Sequence, residues 1–322
     1  MSPAARRPGS RTTPPTSHRP GAPASARRSK LPLRLWLVAA RPRTLPAAVA
    51  PVAVGTALAG SEGTFRPLAL AAALIGSVFI QIGTNLSNDY SDARRGADTE
   101  DRLGPVRVTA GGLMPPRQVL VGTYVAFGVA VAAGIYLTVV AGPELLAVGV
   151  ASIAAGVLYT GGPRPYGYAG LGELFVFLFF GVVAVMGSYF VQTEEITWEA
   201  FALSVPVGLL AAAILVVNNV RDIDTDRRAG KRTLAVKLGR ERARGLYAAM
   251  VVVAFAAPIV TWLAGGLSAW LLLPLASAPL ALPLIRTVRT RTDGPTLNEA
   301  LGRTGMLLAL FSLLLAAGVL AS

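Results

Sequence analysis

Cysteine is absent from this sequence, and its one histidine, His18, lies in a Pro-, Ser- and Arg-rich stretch near the start. Those two gaps remove whole classes of chemistry. There is no disulfide framework, no cysteine nucleophile and no Cys/His zinc site. Intramembrane haem ligation by histidine is ruled out, and acid–base work by imidazole has no residue outside that stretch. Charge is scarce as well: 15% of the 322 residues are Asp, Glu, Lys or Arg, against about 25% in soluble domains. Chemistry must therefore rest on carboxylates, carboxamides, Tyr, Lys or Arg. Any metal must be held by oxygen, which suits hard cations such as Mg²⁺.

Apolar residues make up 53% of the chain and fall in long blocks such as Leu171–Val191 and Leu267–Ile285. Blocks near 20 residues match a bilayer's hydrocarbon layer at about 1.5 Å per helical residue. Nothing alternates with period two, so the spans read as helices rather than barrel strands. The expected fold class is all-α, a polytopic membrane protein with nine transmembrane helices around a central cavity. Residues 1–30, without an acid, read as a disordered basic cytoplasmic tail, and 31–322 as the transmembrane domain, opening on a short interfacial helix over 31–43. The spans are expected at roughly 44–60, 68–89, 117–140, 142–160, 171–191, 199–221, 245–264, 267–286 and 304–321. Every Lys and Arg except Arg66 then falls on the side of the N-terminus. The positive-inside rule makes that side cytoplasmic and the C-terminus external, in the cell's inner membrane. It also accounts for the net charge of +13 without any nucleic-acid partner. Trp36, Trp198 and Trp270 read as interfacial anchors.

Two inside loops carry more acid than solubility requires. The first follows the second span: Asn85, Asn88, Asp89 and Asp92, with Asn85, Asp89 and Asp92 on one face if the helix continues. The second follows the sixth span: Asn218, Asn219, Asp222, Asp224 and Asp226, where Asn218, Asp222 and Asp226 share a face and Asp224 points about 160° away from Asp222. Asn85-x-x-x-Asp89 corresponds to Asn218-x-x-x-Asp222, a hint of duplicated four-helix units with the ninth helix appended. Like charges at i, i+4 oppose a helix by a few tenths of a kcal/mol, and charges set deep in a membrane cost about 3 kcal/mol each. A divalent cation relieves both. Glu100, Asp101, Asp224 and Glu241 read instead as solvating charges paired with neighbouring Arg.

Two carboxylate sets with bases around them suit a diphosphate ester. Mg²⁺ would bridge carboxylate and phosphate oxygens, and Arg102, Arg107, Lys231 and Arg232 are placed to clamp the remaining phosphate oxygens. Neutralising the diphosphate would let an allylic ester ionise, and an apolar cavity would keep water from the cation.

These residues resemble a known group. Asn88-Asp89-x-x-Asp92 with Asp98, then Gly104-Pro105-x-Arg107 and Gly111-Gly112, is similar to the first motif of the UbiA superfamily of intramembrane prenyltransferases, and Asp222-x-x-x-Asp226 to its second. Many members place an acid where this chain has Gly96; here it stands at Asp98. That variant, with Gly230-Lys231-Arg232-Thr233, resembles the branch that prenylates 1,4-dihydroxy-2-naphthoate in menaquinone synthesis. The resemblance implies transfer of a polyprenyl group from a polyprenyl diphosphate to that aromatic acid, with loss of CO₂ and diphosphate. It implies Asp89, Asp92, Asp98, Asp222 and Asp226 as Mg²⁺–diphosphate residues supported by Asn85, Asn88 and Asn219. Asp92 and Asp98 stay open as the direct ligand. Tyr159 and Tyr166 resemble the segment near the acceptor, whose carboxylate would meet Arg43 or Lys231. Acceptors such as 4-hydroxybenzoate stay open, and so does a cation-coupled transporter, although carriers hold their charges near the midplane rather than at span ends.

Overall fold

The chain's computed structural model describes residues 33–97, 103–265 and 267–322, so the tail assigned to 1–30, with Asp98, Glu100, Asp101 and Arg102, lies outside them. A short helix, α1 (Leu33–Ala40), opens the described chain where an interfacial helix is expected. Proline, whose missing N–H costs nothing in a first turn, then starts α2 (Pro46–Ser61), α3 (Pro67–Arg94) and α4 (Pro116–Ala141). There follow α5 (Glu144–Leu158), α6 (Gly172–Val176), a π-helical stretch (Phe177–Val183), α7 (Ala184–Thr193), α8 (Trp198–Arg228), α9 (Leu234–Leu238) and α10 (Arg240–Leu263). A 3₁₀ segment (Ala269–Ser277) leads into α11 (Ala278–Thr290), and α12 (Gly294–Leu320) ends the chain. No strand occurs among the described residues.

Among the described residues, seven helical stretches are long and apolar enough to cross a membrane, and the bent pair Leu33–Thr44 and Pro46–Ser61, at 54°, makes an eighth if it is one span. The chain is an integral membrane protein. The expected span over 142–160 is shorter than the others: α5 holds 15 residues, about 22 Å against a layer of about 30 Å. Gly142–Pro143 before it and Gly161–Gly162–Pro163 after it cut it at both ends.

α8 is the central post, with 72% of its apolar stretch buried, and α12 follows at 56%, while the other five of the seven stretches range from 22% to 33%. Small residues let backbones close on one another, the usual means of packing helices where lipid removes the hydrophobic drive. A Cβ on Gly55 of α2 would lie 2.2 Å from the Val185 carbonyl of α7, and one on Gly181 would lie 2.5 Å from the Gly208 Cα of α8. The second contact sits inside the π-helical stretch, whose Phe179 and Phe180 form part of a cavity wall.

Candidate functional site

Both acidic clusters occupy the final turns of long helices, α3 and α8, at the same end of the bundle. Between them opens a cavity of about 460 Å³ that runs down to Leu137, Leu145 and Val191 near the other end. Its depth is apolar and its mouth polar. From α3 it is lined by Asn85, Asn88 and Asp92, and from α8 by Asn218, Asn219, Asp222 and Asp226. Arg107, Lys231, Tyr159 and Tyr166 complete the mouth. The register proposed for Asn218, Asp222 and Asp226 brings all three onto this surface, whereas of Asn85, Asp89 and Asp92 only the first and last line it.

Asp92 is the most heavily engaged acid, with a side chain 3% exposed. It accepts from the Tyr168 hydroxyl at 2.6 Å and faces the Arg107 guanidinium at 3.4 Å and the Lys231 ammonium at 3.7 Å. Lys231 arrives there because α8 ends on Gly230 at φ +73°, a left-handed turn that favours glycine. It also stands 4.8 Å over the Tyr168 ring. Asp222 is held by a buried neighbour, Arg221, through bonds of 2.8 and 2.6 Å. Arg221 further donates to Asn218 at 2.8 Å and to Asn298.

Asp89 behaves differently. It is 2% exposed but does not line the cavity; its carboxylate accepts from the backbone amides of Val108 and Thr109 at 3.1 and 2.9 Å. It thereby anchors the loop that carries Arg107. Arg232 is exposed and meets the site only through its backbone N–H, which donates to the Tyr168 carbonyl at 2.9 Å. Asp98 and Arg102 lie outside the described residues. Of the two cations proposed for an acceptor carboxylate, Lys231 lines the cavity and Arg43 does not. Asp224, by contrast, pairs on the surface with Arg240 at 2.6 Å, and Glu241 pairs with Arg244 at 3.0 Å, as solvating charges do.

The carboxamides are oriented by their partners. Asn85 donates to the Ala40 carbonyl at 2.9 Å and to the Thr44 hydroxyl at 3.3 Å. Asn88 accepts from the Thr160 hydroxyl at 2.9 Å. Tyr166 donates to the Ala155 carbonyl at 2.9 Å and stacks on Phe175 with ring centroids 4.0 Å apart. Burial pushes its phenol well above the usual range, so it stays a donor. Tyr159 meets the Tyr166 ring edge-on at 5.5 Å.

Sequence reading missed Tyr168, Arg221 and Arg41. Tyr168 stands two residues after Tyr166 and so carried a signal; Arg221 sat beside Asp222 but read as a topology charge. Arg41 lines the cavity from the bend between α1 and α2, held at φ +55°. Its guanidinium donates to the Asn85 carbonyl at 3.4 Å.

No three His, Cys, Asp or Glu side chains converge on one point among the described residues. The donors facing the cavity are oxygens from two helices, with cations beside them. Such a set fits a hard divalent ion whose shell is completed by phosphate oxygens, rather than a closed protein cage. The cavity's apolar depth fits a long hydrocarbon.

The comparisons with known proteins agree with that chemistry. Over 281 residues the chain is 44% identical to a 1,4-dihydroxy-2-naphthoate octaprenyltransferase of Mycobacterium tuberculosis, covering 87% of this chain and 95% of the relative. It is 38% identical to one from Escherichia coli over 89% of this chain and 95% of that protein. Among solved structures, a UbiA homolog from Archaeoglobus fulgidus bound to DMAPP and Mg²⁺ superposes with a TM-score of 0.61 at 17% identity, covering 89% of this chain and 99% of that one. An apo UbiA homolog from Aeropyrum pernix gives a TM-score of 0.64 at 19% identity, over 86% and 97% of the two chains. The family model for UbiA prenyltransferases matches residues 48–311. That match runs from inside α2 to inside α12 and takes in both acidic clusters, and on that ground the chain belongs to the UbiA prenyltransferase family.

Proposed function

We propose that this protein transfers a polyprenyl group from an allylic polyprenyl diphosphate to 1,4-dihydroxy-2-naphthoate, with release of diphosphate and CO₂, giving a demethylmenaquinol. The observation that carries the reaction class is the meeting of two carboxylate–carboxamide clusters at the polar mouth of an apolar cavity. The relatives' names support the choice of acceptor. Mg²⁺, when bound, would neutralise the diphosphate and make it a better leaving group. Asp92, Asp222 and Asp226 would hold the metal–diphosphate, with Asn85 and Asn88 supplying neutral contacts. Arg107 and Lys231 would take phosphate oxygens as they let go of Asp92.

The allylic C–O bond breaks with its electron pair leaving on the diphosphate. The carboxyl-bearing ring carbon then bonds to the prenyl carbon. Departure of the carboxylate as CO₂ returns its electron pair to the ring. No proton has to be taken by the protein, which suits a site without histidine. Aromatic walls at Tyr166, Phe175 and Phe179 keep water from the cation.

Competition between two acids tests this reading. Purified protein given 1,4-dihydroxy-2-naphthoate, 4-hydroxybenzoate, one prenyl diphosphate and Mg²⁺ should yield a naphthoquinol adduct whose mass has lost CO₂. A dominant benzoate adduct that keeps its carboxylate would overturn the acceptor assignment and leave the family intact.

The active-site mouth is proposed to face the cytoplasm. It lies at the same end as the Arg-rich loops, while Arg66 pairs with Glu194 at 2.7 Å among the loops of the opposite end. Reporter fusions after residues 165, 232 and 295 should score cytoplasmic, and fusions near 63, 194 and the C-terminus external. The reverse pattern would place the chemistry on the other face.

A further inference from the structure

Glu173 is an acid that the mechanism leaves without a task. It is the second residue of α6 and 4% exposed. Burying a carboxyl there is costly unless it is fully partnered. Only one of its oxygens is engaged: Oε1 accepts from the Asn219 side-chain amide at 2.8 Å. Oε2 is buried with no hydrogen-bond partner among the described residues. A purely structural role would be served as well by an apolar side chain, so the residue's chemistry calls for another explanation.

Asn219 supplies one. It is 4% exposed and lines the cavity, whereas Glu173 stands behind the wall. A carboxamide has one accepting edge and one donating edge. With its NH₂ committed to Glu173, Asn219 keeps its oxygen for the cavity side. Turning the amide over would set oxygen against carboxylate oxygen. Glu173 thus selects which edge the cavity meets.

The position of that oxygen indicates what it would meet. Asn219 precedes Asp222 by three residues on α8, so it shares that face and lies about 4.5 Å deeper. Tyr159 lines the same cavity and borders the residue before Glu173: a Cβ on Gly172 would stand 3.2 Å from the Tyr159 ring. The depth of Asn219 would set it below a diphosphate held by Asp222 and Asp226, toward the ring that receives the prenyl carbon. As that ring carbon is attacked, positive charge spreads to the hydroxyl on the adjacent carbon. An oxygen accepting that O–H stabilises the charge where it develops.

We infer that Glu173 is a positioning residue: it fixes the Asn219 carboxamide so that its oxygen receives the acceptor's hydroxyl in the transition state. The inference rests on the reading that an aromatic acid is prenylated in this cavity.

A double-mutant cycle tests it. Glu173→Leu and Asn219→Ala should each lower kcat/KM for the naphthoate about 30-fold, mostly in kcat. The double variant should be no slower than Asn219→Ala alone, because Glu173 acts only through that amide. KM for the prenyl diphosphate should stay within about two-fold throughout. Glu173→Gln, which keeps an oxygen for the Asn219 amide, should retain activity within about five-fold of wild type. Should Glu173→Leu not be recovered folded, Glu173→Ala takes its place in the cycle. Losses that multiply in the double variant would overturn the inference, and so would an equal rise in KM for the diphosphate. A wild-type protein that prenylates no aromatic acid would overturn the functional reading, and this inference with it.

Discussion

Asp226→Asn is expected to reduce prenyl transfer by at least about 10³-fold, equivalent to about 4 kcal/mol of transition-state stabilisation, while the protein inserts and melts as wild type. Asp226 is half-buried at the cavity mouth, one turn beyond Asp222, in the last turns of α8. Replacing its carboxylate by a carboxamide preserves shape and removes the charge that would hold a metal–diphosphate. Asp222→Asn should cost as much activity and, in addition, stability. Its carboxylate neutralises the Arg221 guanidinium, which is 2% exposed, and breaking one side of a buried pair costs roughly 3–5 kcal/mol. Asp224→Asn supplies the contrast: its partners Arg240 and Arg227 meet it at the surface, where such pairs contribute about 0–1 kcal/mol. Turnover and melting in detergent, measured side by side, separate the three. Near-wild-type turnover in Asp226→Asn would sink the two-cluster account of the site.

Asp89→Asn should fail by another route, which shows what hydrogen bonding adds to a motif. Its carboxylate caps two backbone amides of the loop bearing Arg107. A carboxamide would turn its NH₂ toward one of them. The loop would loosen, and the loss should appear first as a raised KM for the prenyl diphosphate.

The positions of the two clusters were legible in the sequence because a carboxylate abutting an apolar span is expensive and rare. Helical spacing then put Asn218, Asp222 and Asp226 on one face, and the cavity wall has all three. The helices themselves were legible from hydropathy, and their ends from proline and glycine. What could not be read was partnership across the chain. Asp89 and Asp92 look alike in the motif. One is committed to backbone amides and the other to Tyr168, Arg107 and Lys231, residues 15 to 139 positions away. At α5 the expected bounds, 142–160, agree with the helix Glu144–Leu158 to within two residues, but its 15 residues make it shorter than the other spans. Arg41 and Arg43 are two residues apart, yet only Arg41 lines the cavity, because the bend before α2 decides which of them faces inward.

Removing divalent metal should abolish transfer, and restoring Mg²⁺ or Mn²⁺ should return it. The reason is electrostatic. A diphosphate ester brings about three negative charges to a mouth that already holds Asp92, Asp222 and Asp226. At an effective dielectric constant near 20, each pair of like charges about 4 Å apart costs roughly 4 kcal/mol. Arg107 and Lys231 offset part of this, but both stand beside Asp92, and Arg221 is committed to Asp222. The side-chain cations are therefore largely spent on the carboxylates before any substrate arrives. Divalent ions held by Asp92, Asp222 and Asp226 would supply the missing positive charge, leaving Arg107 and Lys231 to the diphosphate. Two measurements follow. With excess chelator, transfer should drop by at least about 10³-fold, and the affinity for a non-hydrolysable prenyl diphosphate analogue should collapse with it. In Lys231→Gln the Mg²⁺ concentration for half-maximal activity should rise, because one positive contact to the diphosphate is gone. Transfer that survives thorough chelation would mean that Arg107, Lys231 and Arg41 suffice as the diphosphate's counter-charge, and the proposed division of labour between the metal and these side chains would be wrong.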